Sequence, residues 1–274
     1  MGRKRDLISK TASRLSRPVS ALSKKRQEKY QSSLRLAILM FHHVSDKKAE
    51  SQEERDLQVT SKELRDYLEF FKAHFEICTF KKAAHLMEQE SAKKPLMVFT
   101  FDDGYTDFYE TAFPILKELN IPVNQNVIIK YADEARSGYL NWEQIKELKN
   151  SNLIELGCHT YDKHYLSDGK SILENLSKEE IITDLSKAEE SFLKHLGCQA
   201  DILAWPYGVK PHNISEEDLR KLGFKFQLST ASGINLGPIE HKELKRFAVL
   251  GYESPEKLLS IIKGYDALDF LRGH

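Results

Sequence analysis

Leu96-Met97-Val98-Phe99-Thr100-Phe101-Asp102-Asp103-Gly104 is the stretch on which the fold of this chain turns. An apolar run of β-branched and aromatic residues stops at two adjacent carboxylates and a glycine. The run is too short for a helix and apolar on both faces, as strands of parallel sheets are. Gly104 permits a sharp turn, so both aspartates fall at the C-terminal end of a strand. Parallel α/β folds keep their chemistry there. Two carboxylates so close repel, and one resists ionising unless a cation neutralises them. A solvated Asp-Asp-Gly turn remains open for these three residues alone. The buried strand upstream weighs against it.

Composition bounds what surrounds this strand. The chain has 274 residues, 41% apolar and 30% charged, the profile of a soluble globular protein. Its zero net charge is unevenly spread. Residues 1–35 carry eleven Lys and Arg against two acids, leaving 30 basic and 39 acidic residues behind them: +9 on −9. Cys78, Cys158 and Cys198 form no close-spaced pair, which argues against a disulfide framework. No apolar run approaches the ~18 residues of a membrane span.

The expected organisation is a basic arm over 1–35, one domain over 36–265 and a short tail over 266–274. Ile8, Ala12, Leu15, Val19 and Leu22 give the arm one helical face, interrupted by Pro18. Such a segment either lies on an anionic membrane surface or remains a solvated basic tail. Its Arg- and Ser-rich composition also has something of an organelle transit peptide, and it lacks the apolar centre of a secretory signal. The expectation is a cytoplasmic or membrane-peripheral monomer, with nucleic acid not favoured as a partner.

Behind the arm, strands and helices alternate. Leu36–Phe41 reads as the first strand, ending in His42-His43-Val44. Thr60 and Glu63 form a capping box for a helix over 61–75. Phe108 to Leu119 has helical spacing with Pro114 inside, so a kink is expected there. Ile121–Ile129, Leu153–Cys158, Ile202–Trp205, Phe224–Leu228 and Arg246–Val249 read as further strands. Ser177 and Glu180 cap a long helix that Gly197 stops, and Ser254-Pro255 begins a last helix ended by Gly264. The alternation implies a parallel sheet with right-handed crossovers, either open or closed into a barrel.

His159 and His164 lie five residues apart. On a helix this spacing rotates direction by roughly 140°, so the two imidazoles could not share a metal. At a strand end running into a loop they can converge. Two surface histidines are the plain alternative.

Thr100-Phe101-Asp102-Asp103-Gly104, His159-Thr160-Tyr161-Asp162-Lys163-His164 and Ala204-Trp205-Pro206-Tyr207-Gly208 occur in that order, and together they resemble the signatures of the polysaccharide deacetylases, carbohydrate esterase family four. The five-residue histidine spacing is similar to that of the poly-N-acetylglucosamine deacetylase subgroup. The resemblance covers about Leu36 to Tyr265. It implies a distorted (β/α)7 barrel and a hydrolase that removes N-acetyl groups from a sugar polymer or glycoconjugate. It implies a divalent metal, zinc first, on Asp103, His159 and His164, with Asp102 as general base. The Tyr207 backbone N–H would be an oxyanion donor.

The chain also departs from the family pattern. Ala204 stands where an Arg usually positions the base, and Arg246 can supply that charge from another strand or be a surface ion-pair partner. Val123-Asn124-Gln125-Asn126 replaces an aromatic run and implies a more polar pocket wall. His42, Trp142, Trp205 and Pro206 are the candidate substrate contacts. No Leu-x-His pattern supplies the general acid; His212, His241 and His274 sit in other contexts. Two further readings are an amidohydrolase of small cyclic ureides or imides and a catalytically weak glycan-binding relative.

Overall fold

The computed structural model of the chain describes residues 35–271. Almost all of the basic arm, its Ile8-to-Leu22 face included, and His274 lie outside the described residues. Among the described residues no helix is long and apolar enough to cross a membrane.

In chain order, β1 (Arg35–Phe41) is followed by α1 (Ser61–His74), α2 (Phe80–Glu88) and β2 (Leu96–Phe101). Next come α3 (Phe113–Leu119), β3 (Val123–Val127), α4 (Ile129–Asp133), α5 (Trp142–Asn150) and β4 (Ile154–Cys158). Then follow α6 (Lys178–Leu196), β5 (Ile202–Ala204), α7 (Glu216–Lys221), β6 (Phe226–Leu228), β7 (Lys242–Leu244), β8 (Phe247–Ala248) and α8 (Pro255–Leu271). β1 to β7 are neighbours in that order, each pair parallel. β8 returns to the other edge of the sheet and pairs parallel with β1, Leu39 opposite Phe247. Only Lys245 and Arg246 separate β7 from β8, so the two act as one bent stave. The result is a distorted (β/α)7 barrel, closed except at that break. Because the staves are parallel, their C-terminal ends share one rim.

Every residue of β2 is buried, as its unbroken apolar run requires. α1 has the expected box: Glu63 N–H donates to Thr60 Oγ1 at 3.2 Å, and Thr60 N–H to Glu63 Oε2 at 2.7 Å. Such a cap stabilises a helix by about 1 kcal/mol. Leu64, Tyr67, Leu68 and Phe71 form its buried face.

Pro114 lies inside a continuous helical run over 106–119, and the turn before it widens so that Phe113 N–H reaches Phe108 O. Three expectations need correction. Gly264 does not end the last helix, which continues to Leu271. Gly197 stops α6 because its φ is +67°, whereas Gly264 has no left-handed φ. The stretch over 121–129 is a strand only over Val123–Val127, and Ile129 already begins α4. Its polar residues do not wall a pocket: Asn124, Gln125 and Asn126 are fully buried in the barrel.

Candidate active site

Three loops at the rim bend through left-handed backbone at non-glycine residues: Asp103 (φ 71°), Thr160 (φ 66°) and Tyr207 (φ 57°). Each such residue costs about 1–2 kcal/mol, and strain of this kind collects where function fixes geometry. They follow β2, β4 and β5, so the three motifs face one another across the barrel mouth. A cavity of about 360 Å³ opens there, lined among others by His42, Asp102, Asp103, Tyr105, His159, His164, Trp205 and Tyr207.

Asp103, His159 and His164 converge. Asp103 Oδ1 lies 3.2 Å from His159 Nε2 and 3.0 Å from His164 Nε2. The Nδ1 atom of His159 is 2.7 Å from the Ala204 carbonyl oxygen. A carbonyl only accepts, so Nδ1 carries the proton and Nε2 presents its lone pair to the site. Asp103 Oδ1 is buried, and no described residue gives it a well-aligned hydrogen bond. One carboxylate and two imidazole nitrogens therefore point at a common spot with nothing of the protein between them. This donor set fits a divalent cation. Burial pushes the Asp103 carboxyl up, but the two imidazoles outweigh it and hold the group well below its ordinary range. Burial pushes the His159 imidazole down, and Asp103 with Asp102 more than reverses this. A cation would take the place of the proton so held.

Asp102 also lines the cavity but has different partners. Arg246 grips it with both arms, NH1 to Oδ1 at 2.9 Å and NH2 to Oδ2 at 2.8 Å. Asn126 Nδ2 donates to Oδ1 at 2.8 Å. The guanidinium is itself fully buried and held by the Ser229 carbonyl (2.8 Å) and Thr100 Oγ1 (3.1 Å). Burial is the largest influence on Asp102 and raises its pKa, but the charge of Arg246 leads the opposing influences and brings it to about 2. Arg246 thus supplies from the β7–β8 break the charge that Ala204 cannot; it is not a surface ion-pair partner. The polar departure in β3 is explained by the same group, since Asn126 steadies the carboxylate.

The Pro206–Gly208 turn brings Tyr207 to the cavity, where its ring stacks on His164 at 5.0 Å. Gly208 is required: a Cβ there would lie 2.1 Å from Thr230 Oγ1. Trp205 is fully buried and lines the cavity, its Nε1 without a hydrogen-bond partner among the described residues. His42 also lines it, with a buried, unpartnered Nδ1. Burial lowers the His42 pKa despite the pull of Asp103 and Asp102.

Two of the candidate contacts fall elsewhere. Pro206 is buried and shapes the turn without lining the cavity. Trp142 donates to Asp133 Oδ1 at 2.8 Å and stacks on His195 at 4.4 Å, away from the cavity lining. His212 and His241 are not among the lining residues either. Tyr105 and His43 do line it, stacked on each other at 3.6 Å, and were not singled out in the sequence. Their only signal was adjacency to the motifs.

The sequence model of the polysaccharide deacetylase family matches residues 89–227. A poly-β-1,6-N-acetyl-D-glucosamine N-deacetylase of Escherichia coli (strain K12) is 25% identical over 279 aligned positions, covering 83% of this chain and 40% of that protein. The Staphylococcus aureus (strain MRSA252) protein of the same name is 28% identical over 184, covering 65% of this chain and 63% of its own length. This chain therefore spans less than two thirds of either relative. The structure of IcaB from Ammonifex degensii superposes with a TM-score of 0.71 at 26% identity, over 83% of this chain and 95% of IcaB. The Streptococcus pyogenes deacetylase PplD in complex with acetate, at 24% identity and a TM-score of 0.71, shares the fold.

Proposed function

The chain belongs to the polysaccharide deacetylase family, and from that membership we propose that it hydrolyses the N-acetyl amide of glucosamine residues in a glycan chain. The observation that carries the reading is the pairing at the end of β2. One aspartate is locked in a buried ion pair, and the next faces two imidazoles with an unsatisfied oxygen. A turn or a binding surface has no use for that division.

Asp103, His159 and His164 would hold the metal. Two imidazoles, one carboxylate and an open position are the donor set of catalytic zinc, and zinc is the ion proposed. Once bound, it supplies Lewis acidity to the acetamide carbonyl and to the attacking water.

The chain's own groups supply the rest. Asp102 accepts the proton of the water. Its Oδ1 already takes two hydrogen bonds and Oδ2 only one, so Oδ2 is the atom with lone-pair capacity left. Arg246 and Asn126 fix the orientation of that carboxylate. The Tyr207 N–H is assigned to the tetrahedral oxyanion, and the enforced turn at Gly208 supports this. Asp102 then returns the water's proton to the nitrogen of the leaving amine, and His42, on the cavity wall, is assigned a contact with the substrate. The C–N bond breaks, leaving acetate and a free amine.

The names of the relatives favour a poly-β-1,6-N-acetylglucosamine substrate over a cyclic ureide or imide. The test incubates the purified full chain with zinc and β-1,6-linked N-acetylglucosamine oligomers, β-1,4-linked oligomers serving as comparison. Release of equimolar acetate and amine is expected, faster on the β-1,6 chains. A protein carrying stoichiometric zinc that releases acetate from neither would overturn the reading.

A further inference from the structure

His159 and His164 reach one point only if the intervening loop holds a particular bend. His159 has an anchor of its own in the Ala204 carbonyl, whereas His164 is carried to Asp103 by residues 160–163. What holds those residues lies on another element. α6 buries a stripe of Ile181, Leu185, Ala188 and Phe192, and Asp184 sits within it, 5% exposed. Among the described residues this carboxylate makes no ion pair. Its two oxygens instead accept consecutive backbone N–H groups of the histidine loop, Oδ2 from Tyr161 at 2.9 Å and Oδ1 from Asp162 at 3.0 Å. These N–H groups follow Thr160 in its left-handed conformation, which turns successive amides to the same side and creates an anion-binding nest. On the opposite side the loop carbonyls are also held: Ile129 N–H donates to Thr160 O at 3.2 Å and Lys130 N–H to Tyr161 O at 3.0 Å.

We infer that Asp184 is a positioning residue for the metal centre: its buried carboxylate clamps the Tyr161 and Asp162 amides and so sets where His164 presents its nitrogen. A carboxylate on an apolar helix stripe is unfavourable unless its hydrogen bonds are satisfied there. Here the loop satisfies them, and in return the carboxylate fixes a bend that a five-residue spacing needs. The inference rests on the metal reading of Asp103, His159 and His164.

The test measures zinc affinity of the folded full chain by chelator competition, with hydrogen exchange of the 159–165 backbone alongside. Asp184→Ala should weaken zinc binding by roughly 10- to 100-fold, the scale seen when groups supporting metal ligands are lost. It should also speed exchange in the loop while β2 and β5 stay protected. Asp184→Asn keeps one acceptor oxygen and should fall between Asp184→Ala and the unaltered protein. It carries the test if the alanine variant does not fold. Phe192→Leu, which loosens the same helix two turns further on, should leave zinc affinity within about twofold of the unaltered protein, since it touches no loop amide. Unchanged zinc affinity in the Asp184 variants, or a loss no larger than that of Phe192→Leu, overturns the inference. If the unaltered protein binds no zinc, the functional reading fails, and loop exchange in Asp184→Ala alone decides whether the clamp exists.

Discussion

Replacing Arg246 by alanine tests the centre of the site most sharply. The guanidinium makes four hydrogen bonds, two of them to Asp102, and neither partner is more than 2% exposed. Removing one member of a buried pair leaves a charge with no compensation and costs about 3–5 kcal/mol. For a chain of this size that is a fall of roughly 6–20 °C in Tm, at 2–4 °C per kcal/mol. The loss must depend on pH, and its direction follows from Asp102. In the unaltered protein this carboxyl is depressed from 3.8 to about 2. It therefore contributes stability above pH 4 that is lost as pH falls toward 2. At 1.36 kcal/mol per pKa unit the contribution is about 2 kcal/mol. In Arg246→Ala the largest remaining influence is burial, which raises the pKa, so Asp102 favours folding only when protonated. The stability gap between the two proteins should then be widest near neutral pH and narrow steadily toward pH 2. Denaturant unfolding of both proteins, metal-free, between pH 7 and pH 2.5 measures it. A gap that stays constant across that range, or lies below 1 kcal/mol at pH 7, would refute the argument. Arg246→Lys restores the charge without the two-pronged grip and should recover only part of the gap.

Asp103→Ala and His159→Ala should each abolish binding of about one zinc per chain, checked by metal analysis after dialysis; full occupancy in both would remove the assignment. Asp102→Asn should keep its zinc yet lose roughly 10²-fold or more in turnover, and undiminished acetate release would end its role as base. Glu189 is buried on α6, and burial raises its pKa to about 8 although it accepts the Ala200 N–H. A raised carboxyl loses its stabilising effect as pH climbs from 4.5 to 8, so Glu189→Gln should raise Tm at pH 8 and change it little at pH 4.5. The +9 segment over 1–35 should give the full chain salt-sensitive binding to anionic vesicles that a chain of residues 34–274 lacks; equal co-sedimentation would remove a membrane role.

Local chemistry was readable along the chain. The apolar run of β2 and its abrupt end, the boxes at Thr60 and Ser177, and the stop at Gly197 are set by residues within a few positions of one another. So is the five-residue histidine step, whose meaning depends only on the backbone being a strand end and not a helix. What could not be read was whatever depends on residues far apart. Lys242-Glu243-Leu244 has no apolar run to mark a strand, and it becomes one because the barrel needs a seventh stave. Asn124 to Asn126 looked like a pocket wall, but β3 buries all three, and Asn126 meets Asp102. Trp142, a candidate contact only through the family resemblance, packs against α6 instead. Arg246 stands 144 positions from Asp102, so only closure of the barrel joins them. That contact is fixed by the need to neutralise a buried carboxylate, a requirement of the folded interior that no stretch of the sequence carries alone.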